Sequence, residues 1–332
     1  MKKFSAFFLT FSLIFSMTMT ASASEKIKIS VPDSNVSYIF IAAEEFARRA
    51  HEYSGGTLEF EVVPNGELYS GIVDYGIKQL SDGALPIVIL STAVYTNFVP
   101  SFNIISVPYM FDDQEQLLNY LDSDIAEELF NKVNLMGITV IGKWTRSFRE
   151  ITNSKHPIEK PNDLSGMVLR VPNNPLYVEF FTACGAVTKP MDFSGVYDAL
   201  KSEYLDGQEN PVDIPYSSKF YEVQKYISFT NHMADAWVVG INTKFFKKLS
   251  EKEQKAIERA GREVQKWNVK MMAENDKNAL RTLLKNGMEA NEISPEARKQ
   301  FIEISKSCYD RFKQLIRDDK LFEDTAKFTG RL

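Results

Sequence analysis

A chain of 332 residues, 44% hydrophobic and 25% charged, has the make-up of an ordinary globular protein, which excludes a fibrous or low-complexity one. Its formal charge of −5 argues against a nucleic-acid partner, because phosphate contacts need a basic face and no basic run or tail occurs. The two cysteines, Cys184 and Cys308, could pair in an oxidising compartment but make no disulfide framework, and two buried thiols fit the sequence as well.

The first residues have the layout of a secretory signal. Lys2 and Lys3 precede an apolar stretch from Phe4 to Met19, and Ala21-Ser22-Ala23 offers a small-residue cleavage site. Residues 1–23 therefore read as a signal peptide, with no cysteine at the cut to carry a lipid, and the product is expected to be periplasmic and soluble. The apolar stretch is shorter than the roughly 20 residues of a membrane span, and nothing downstream reaches that length, so no direct membrane insertion is expected. About 300 residues remain, more than one hydrophobic core usually serves, and two lobes are expected.

Strands and helices then alternate, which predicts an α/β fold with parallel pairing. Ile27–Val31 reads as a strand, Ala42–Tyr53 as a helix closed by Gly55-Gly56, and Leu58, Phe60 and Val62 recur at period two. A helix over Gly71–Leu80 ends at Asp82-Gly83, and the apolar Leu85–Leu90 fits a strand covered on both faces. Helical stretches over Gln114–Leu121 and Ile125–Val133 precede a strand from Ile138 to Ile141.

The polar, proline-marked segment Thr152–Gly166 reads as a crossing to the second lobe. There Met167–Val171 is a strand, Pro175–Cys184 a helix with proline in its first turn, and Val187–Met191 another strand. Asp192 or Ser194 can cap a helix through Lys201, and Tyr226–Phe229 and Trp237–Ile241 supply further strands.

Glu251–Asn286 carries the strongest helical signal. Ser250 and Glu253 make a capping box, Gly287 supplies a stop, and Ile257, Ala260, Val264, Trp267 and Met271 form one apolar stripe. Such a helix runs for about 50 Å, further than one lobe is wide, so it is expected to span both; two helices broken near Asn275–Asn278 are the alternative. A final helix is expected over Pro295–Ile316. The division that follows is residues 24–147 plus 236–277 for lobe I, and 148–235 plus 278–332 for lobe II.

No metalloprotease, hydrolase, P-loop or dinucleotide motif occurs. His51, His156 and His232 have no metal-ligand spacing, and Asp122 and Asp124 lack the glycine and glutamate of a calcium loop. Hence no metal, no cofactor and no catalytic residue is assigned. Arg170 is what stands out. It ends the apolar strand Met167-Val168-Leu169, where a full charge needs an anionic partner. Its planar fork of donors fits a carboxylate, whether a ligand's or an internal Asp or Glu.

Several motifs in fixed order then bear on that choice: Pro64-Asn65-Gly66-Glu67-Leu68, Leu169-Arg170-Val171-Pro172-Asn173, Pro190-Met191-Asp192-Phe193-Ser194, Asp206-Gly207-Gln208-Glu209-Asn210-Pro211 and Phe220-Tyr221-Glu222-Val223-Gln224-Lys225-Tyr226. Across essentially the whole mature chain they resemble the substrate-binding subunits of TRAP (tripartite ATP-independent periplasmic) transporters. The resemblance implies a two-lobed periplasmic binding protein fold with a cleft between the lobes. It also implies TRAP membrane subunits as partners and a small carboxylate ligand, such as a sugar acid or related hydroxy acid.

By the same resemblance Arg170 clamps the ligand carboxylate, Arg149 is a second arginine with Arg146 a weaker candidate, Asn210 adds an amide and Phe193 lines the pocket. Tyr38 falls where a first-helix contact is expected, and Trp144 and Trp237 are candidates for an aromatic wall. Ser91 and Thr92 stand at a strand end where sialic-acid binders of the family carry acid, so sialic acid is not expected. Competing readings are a receptor for an ATP-driven importer or a sensor, and a periplasmic hydrolase or lyase using Glu209 or Asp206 as general base.

Overall fold

A computed structural model describes residues 26–332; the expected signal peptide lies outside the described residues. Eleven strands are present among the described residues: β1 (Ile27–Ser30), β2 (Phe60–Val63), β3 (Ile87–Ser91), β4 (Ile138–Arg146), β5 (Glu150–Asn153), β6 (Val168–Val171), β7 (Val187–Pro190), β8 (Gly207–Asn210), β9 (Tyr226–Phe229), β10 (Asp235–Asn242) and β11 (Glu289–Glu292). They form two sheets, one per lobe, in the orders β2-β1-β3-β10-β4 and β11-β9-β5-β8-β6-β7. The α/β class is as read from the sequence.

The pairing is mixed rather than parallel. β1 runs parallel to β2 and β3, and β6 to β7 and β8, but β10 is antiparallel to β3 and β4, and β5 to β8 and β9. The cause is the crossings. A strand entering from the other lobe starts at the end of the sheet where the parallel strands finish, so it runs against them. Ser147–Arg149 and Thr230–Ala234 are those crossings. The expected crossing at Thr152–Gly166 is therefore corrected: Thr152 and Asn153 are fully buried in the second sheet.

Helix signals were partly realised. Ser37 caps the Tyr38–Ser54 helix by accepting from Phe40 N, and Asn174 caps Pro175–Ala183 through Leu176 N. Neither Asp192 nor Ser194 caps the Val196–Lys201 helix; Asp192 instead accepts from Asn173 Nδ2 at 3.1 Å. The expected Pro295–Ile316 helix is two, Pro295–Ser307 and Tyr309–Ile316, and a third follows over Asp319–Phe328.

The long helix is one unbroken element of 35 residues, Glu251–Lys285, started by the Ser250–Glu253 capping box. It packs first on β4 and the Tyr38–Ser54 helix and later on the Asp213–Ser217 helix, after which the chain enters β11 in the second sheet. Its buried face continues from Val264 through Asn268, Met272, Ala279 and Leu283, while Trp267 is half-buried and Met271 exposed. The four-residue steps from Val264 to Asn268 and Met272 each run about 40° past a full turn, so the buried face winds round the helix towards its later partners and leaves Trp267 and Met271 behind. At Gly261 the helix touches β4 so closely that a Cβ would lie 1.7 Å from Ile141 O.

Residues 309–328, placed with the second lobe by the sequence, pack against Pro100–Ile104 and Asp124–Asn131. Lys132 pairs with Asp318 at 2.7 Å and Tyr120 Oη meets Thr325 Oγ1 at 3.0 Å, so the end of the chain straps the halves together. Cys184 and Cys308 are both buried free thiols. Among the described residues no helix is long and apolar enough to cross a membrane.

Candidate functional site

The C-terminal ends of β1, β3, β4, β6 and β8 converge with the start of β10 between the sheets, the usual position of a ligand crevice in α/β folds. They line a small, partly open cavity of about 60 Å³. The first lobe lines it with Asp33, Ser91, Arg146 and Trp237, the second with Arg149, Arg170, Phe193 and Asn210. An adjoining recess shares Pro32, Val73 and Phe193 and is lined further by Tyr69 and Ser194. Ser34 Oγ donates to Ser217 O at 3.1 Å and Asn174 Nδ2 to Ala93 O at 3.0 Å, so the lobes meet around this space.

Three buried arginines face the cavity, and they are used differently. Arg149 donates to Glu209 Oε1 at 2.9 Å, to Asp235 Oδ2 at 3.0 Å and to Asn210 Oδ1 at 3.0 Å. Arg146 Nη1 also donates to Asp235 Oδ2, at 2.8 Å, and its guanidinium stacks 4.4 Å from the Trp237 ring. Arg170 has no carboxylate partner among the described residues. Its Nε and Nη2 donate to Met191 O at 3.1 and 2.7 Å, and its guanidinium lies 6.0 Å from the Phe193 ring.

Electrostatics follow from those partners. Burial pulls Arg170 down to about 10 against the opposing pull of Glu209, with Arg149 adding repulsion and Asp192 a smaller opposing pull. Burial works to raise Glu209, but Arg149 and His232 outweigh it and hold its carboxyl below the ordinary carboxylate range. Burial lifts Asp33 to about 6 against the opposing pull of Arg146 and Arg149, with Asp235 adding to the rise. The mutual repulsion of two arginines is thus offset by Asp235 and Glu209, which leaves Arg170 as the one of the three with no carboxylate bonded to it among the described residues.

Of the residues singled out from sequence, Arg149, Arg170, Asn210, Phe193, Ser91 and Trp237 meet at this cavity. Three do not. Trp144 is fully buried in the first lobe's core, 6.0 Å from the Phe46 ring, with Nε1 donating to Gly261 O at 2.9 Å, so it holds the long helix rather than walling the cleft. Tyr38 Oη donates to Asn268 O on that same helix. Thr92 is buried behind Ser91, and both hydroxyls donate to Asp235 Oδ1, at 3.3 and 2.6 Å.

The profile of the family described as "Bacterial extracellular solute-binding protein, family 7" matches residues 30–315. This chain belongs to that family. The family 7 protein is 28% identical over 279 residues to the "2,3-diketo-L-gulonate-binding periplasmic protein YiaO" of Escherichia coli K12, covering 84% of each chain. Among solved structures it resembles the sugar acid binding protein DctPAm of Advenella mimigardefordensis, in complex with galactonate, with TM-score 0.87, 28% identity, and 92% and 98% of the two chains covered. A TRAP periplasmic solute binding protein from Chromohalobacter salexigens with bound D-glucuronate matches with TM-score 0.85, 26% identity and 92% and 99% coverage. The protein is thus a solute-binding subunit of the TRAP type, on the two-lobed fold of that group.

Sequence reasoning missed Asp33 and Asp235, and Arg146, the weaker candidate there, lines the cavity together with Arg149. Asp235, between Ala234 and Ala236 at the start of an apolar strand, carries the same signal that exposed Arg170. Asp33 follows the first strand, where the crevice rule for α/β sheets points. The residues nominated for general-base chemistry stand elsewhere: Glu209 is tied to Arg149 and His232, and Asp206 Oδ2 accepts from Val168 N at 2.8 Å.

Proposed function

We propose that this family 7 protein captures a small organic acid by its carboxylate, held between Arg170 and Asn210, and delivers it to TRAP membrane subunits without transforming it. One observation carries the reading. Arg170 is buried with its Nε–Nη2 edge anchored on Met191 O, while the other edge, Nη1 and the second hydrogen of Nη2, has no protein acceptor among the described residues. Two parallel donors on a buried cation with no carboxylate bonded to it among the described residues are what a carboxylate accepts best.

Asn210 supports the same grip. Arg149 donates to its Oδ1 and its Nδ2 donates to Gln208 Oε1 at 2.7 Å, so the amide is oriented with one Nδ2 hydrogen to spare. Because each lobe lines part of the cavity, an acid touching both favours the closed arrangement. Galactonate and D-glucuronate are the acids carried by the solved relatives, which supports a sugar acid as the ligand. The expected signal peptide and the extracellular description of the family support a periplasmic setting.

Thermal-shift screening against a panel of organic acids tests this, because a ligand that binds only the folded form raises the melting temperature. Acids are expected to stabilise the protein and to be recovered unchanged. A charge-neutral amide of the best acid binding with equal strength, or product accumulating on incubation, overturns the reading.

A further inference from the structure

Four buried polar atoms near the cleft have no hydrogen-bond partner among the described residues: Arg146 Nε, Trp237 Nε1, Asp33 Oδ2 and Tyr69 Oη. Arg146, Trp237 and Asp33 line the cavity, and Tyr69 lines the adjoining recess. Folded proteins seldom leave such groups unmatched, since each carries the full cost of lost solvation. Arg146 Nε and Trp237 Nε1 only donate, whereas an ionised Asp33 only accepts. The set therefore describes its guest. It asks for a molecule with acceptor oxygens and at least one donor hydrogen.

Resting on the carboxylate grip proposed above, we infer that Asp33 is a specificity-determining residue that accepts a hydrogen bond from a hydroxyl of the bound acid and thereby selects hydroxylated monoacids over dicarboxylates. Arg170 and Asn210 lie on the second lobe and Asp33 on the first, in the loop between β1 and the Tyr38–Ser54 helix. An acid whose carboxylate sits on the second lobe presents its remaining carbons to Asp33. Hydroxyls there both accept from Arg146 and Trp237 and donate to Asp33. The fully ionised form of a C4 dicarboxylate offers acceptors alone, and its second carboxylate meets Asp33 as a like charge in a space largely shielded from water.

Asp33 is 4% exposed, so water does not relieve either mismatch. The charges facing it are Arg146 and Arg149, which favour its ionised form, and Asp235, which opposes it. At neutral pH the ionised form prevails, since its carboxyl titrates at about 6.

Titration calorimetry near pH 7.5 with galactonate, D-glucuronate and succinate, on the wild-type protein and on Asp33→Asn, Asp33→Ala and Arg170→Ala, tests the inference. Wild type is expected to prefer at least one sugar acid to succinate by about tenfold or more. Asp33→Ala should weaken that sugar acid by about tenfold, and Asp33→Asn, which keeps the shape but removes the charge, should strengthen succinate. Wild type preferring succinate to both sugar acids, or a preference unchanged within about twofold in both Asp33 variants, overturns the inference. Arg170→Ala separates the two claims. Loss of all three acids there with Asp33 variants unaffected sinks the Asp33 assignment alone, whereas undiminished binding by Arg170→Ala sinks the carboxylate grip and this inference with it.

Discussion

Arg170 and Met191 are joined twice, Nε and Nη2 of one converging on the backbone carbonyl of the other. The carbonyl fixes the plane of the guanidinium without neutralising it. Arg149 and Arg146, by contrast, share the carboxylate of Asp235. One cation of the three is oriented but left without a carboxylate bonded to it among the described residues.

Replacing Arg170 should therefore separate binding from stability. Arg170→Ala is expected to weaken binding of the acid by on the order of 2 to 5 kcal/mol, and Arg170→Lys, which keeps charge but loses the fork, by an intermediate amount. Arg170→Met, which removes a buried charge with no carboxylate bonded to it among the described residues and keeps volume, should raise the ligand-free protein's stability by about 1 kcal/mol. Calorimetry and urea unfolding read the two effects. A stability loss in Arg170→Met equal to that of breaking a buried ion pair would contradict this account.

Glu209→Gln should behave in the opposite way. It removes one of the two carboxylates paired with buried Arg149 and leaves Asp235 to serve two arginines, and is expected to cost about 1 to 3 kcal/mol whether or not ligand is present. Denaturant midpoints measured without ligand check it. A midpoint shift below that of an ordinary surface substitution would show that Arg149 finds its compensation elsewhere.

Acidification should stabilise the ligand-free protein over part of its range. Burial raises Asp213 from 3.8 to about 8, with Arg146 opposing and Asp276 and Asp33 adding to the rise. Burial likewise lifts Asp276 to about 6, against Ser147 and Arg146, and Asp33 to about 6. Between pH 4 and 8 the folded state keeps protons that the unfolded chain has lost, so stability falls as pH rises through that window. Glu209 and His232, both held low, contribute in the opposite sense: the share of Glu209 is lost as pH falls through and below the carboxylate range, and that of His232, lowered by burial, as pH falls below 6.5, where the three raised acids outnumber it. The melting temperature is expected to be higher at about pH 5.5 than at pH 8 by a few degrees, and Asp213→Asn should flatten the difference.

Gly261→Ala sets two magnitudes against each other. Alanine improves the helix by about 1 kcal/mol, but its Cβ would sit 1.7 Å from Ile141 O, and neither backbone can yield without moving the long helix off β4. The clash wins, so the variant should melt markedly lower and lose the Trp144–Gly261 bond. Circular dichroism melts decide it.

What the sequence made legible is what local rules govern. The capping box, the three- and four-residue spacing and the stop at Gly287 are short-range, so the long helix was readable nearly to its last residue. β8 and β11 were not, because Gly207-Gln208-Glu209-Asn210 and Glu289-Ala290-Asn291-Glu292 carry no apolar alternation; partners in the second sheet make them strands. The same division holds at the site. Arg170 and Asn210 sit in recognisable motifs, while the sharing of Asp235 by Arg146 and Arg149 joins residues far apart in the chain. Trp144 and Trp237 look equivalent in sequence and stand opposite each other in register, yet the long helix covers the first and the cavity borders the second. Only tertiary packing tells them apart.

The crossing at Ser147–Arg149 has a mechanical consequence. Arg146 closes a strand of one sheet, Arg149 stands just ahead of a strand of the other, and both grip Asp235, which begins where the chain returns. That carboxylate acts as a pivot pin fastened to both leaves. A rotation of one leaf against the other has to stretch or slide along the pin, so the bearing and the recognition chemistry are the same few atoms, and a guest that steadies them steadies the joint.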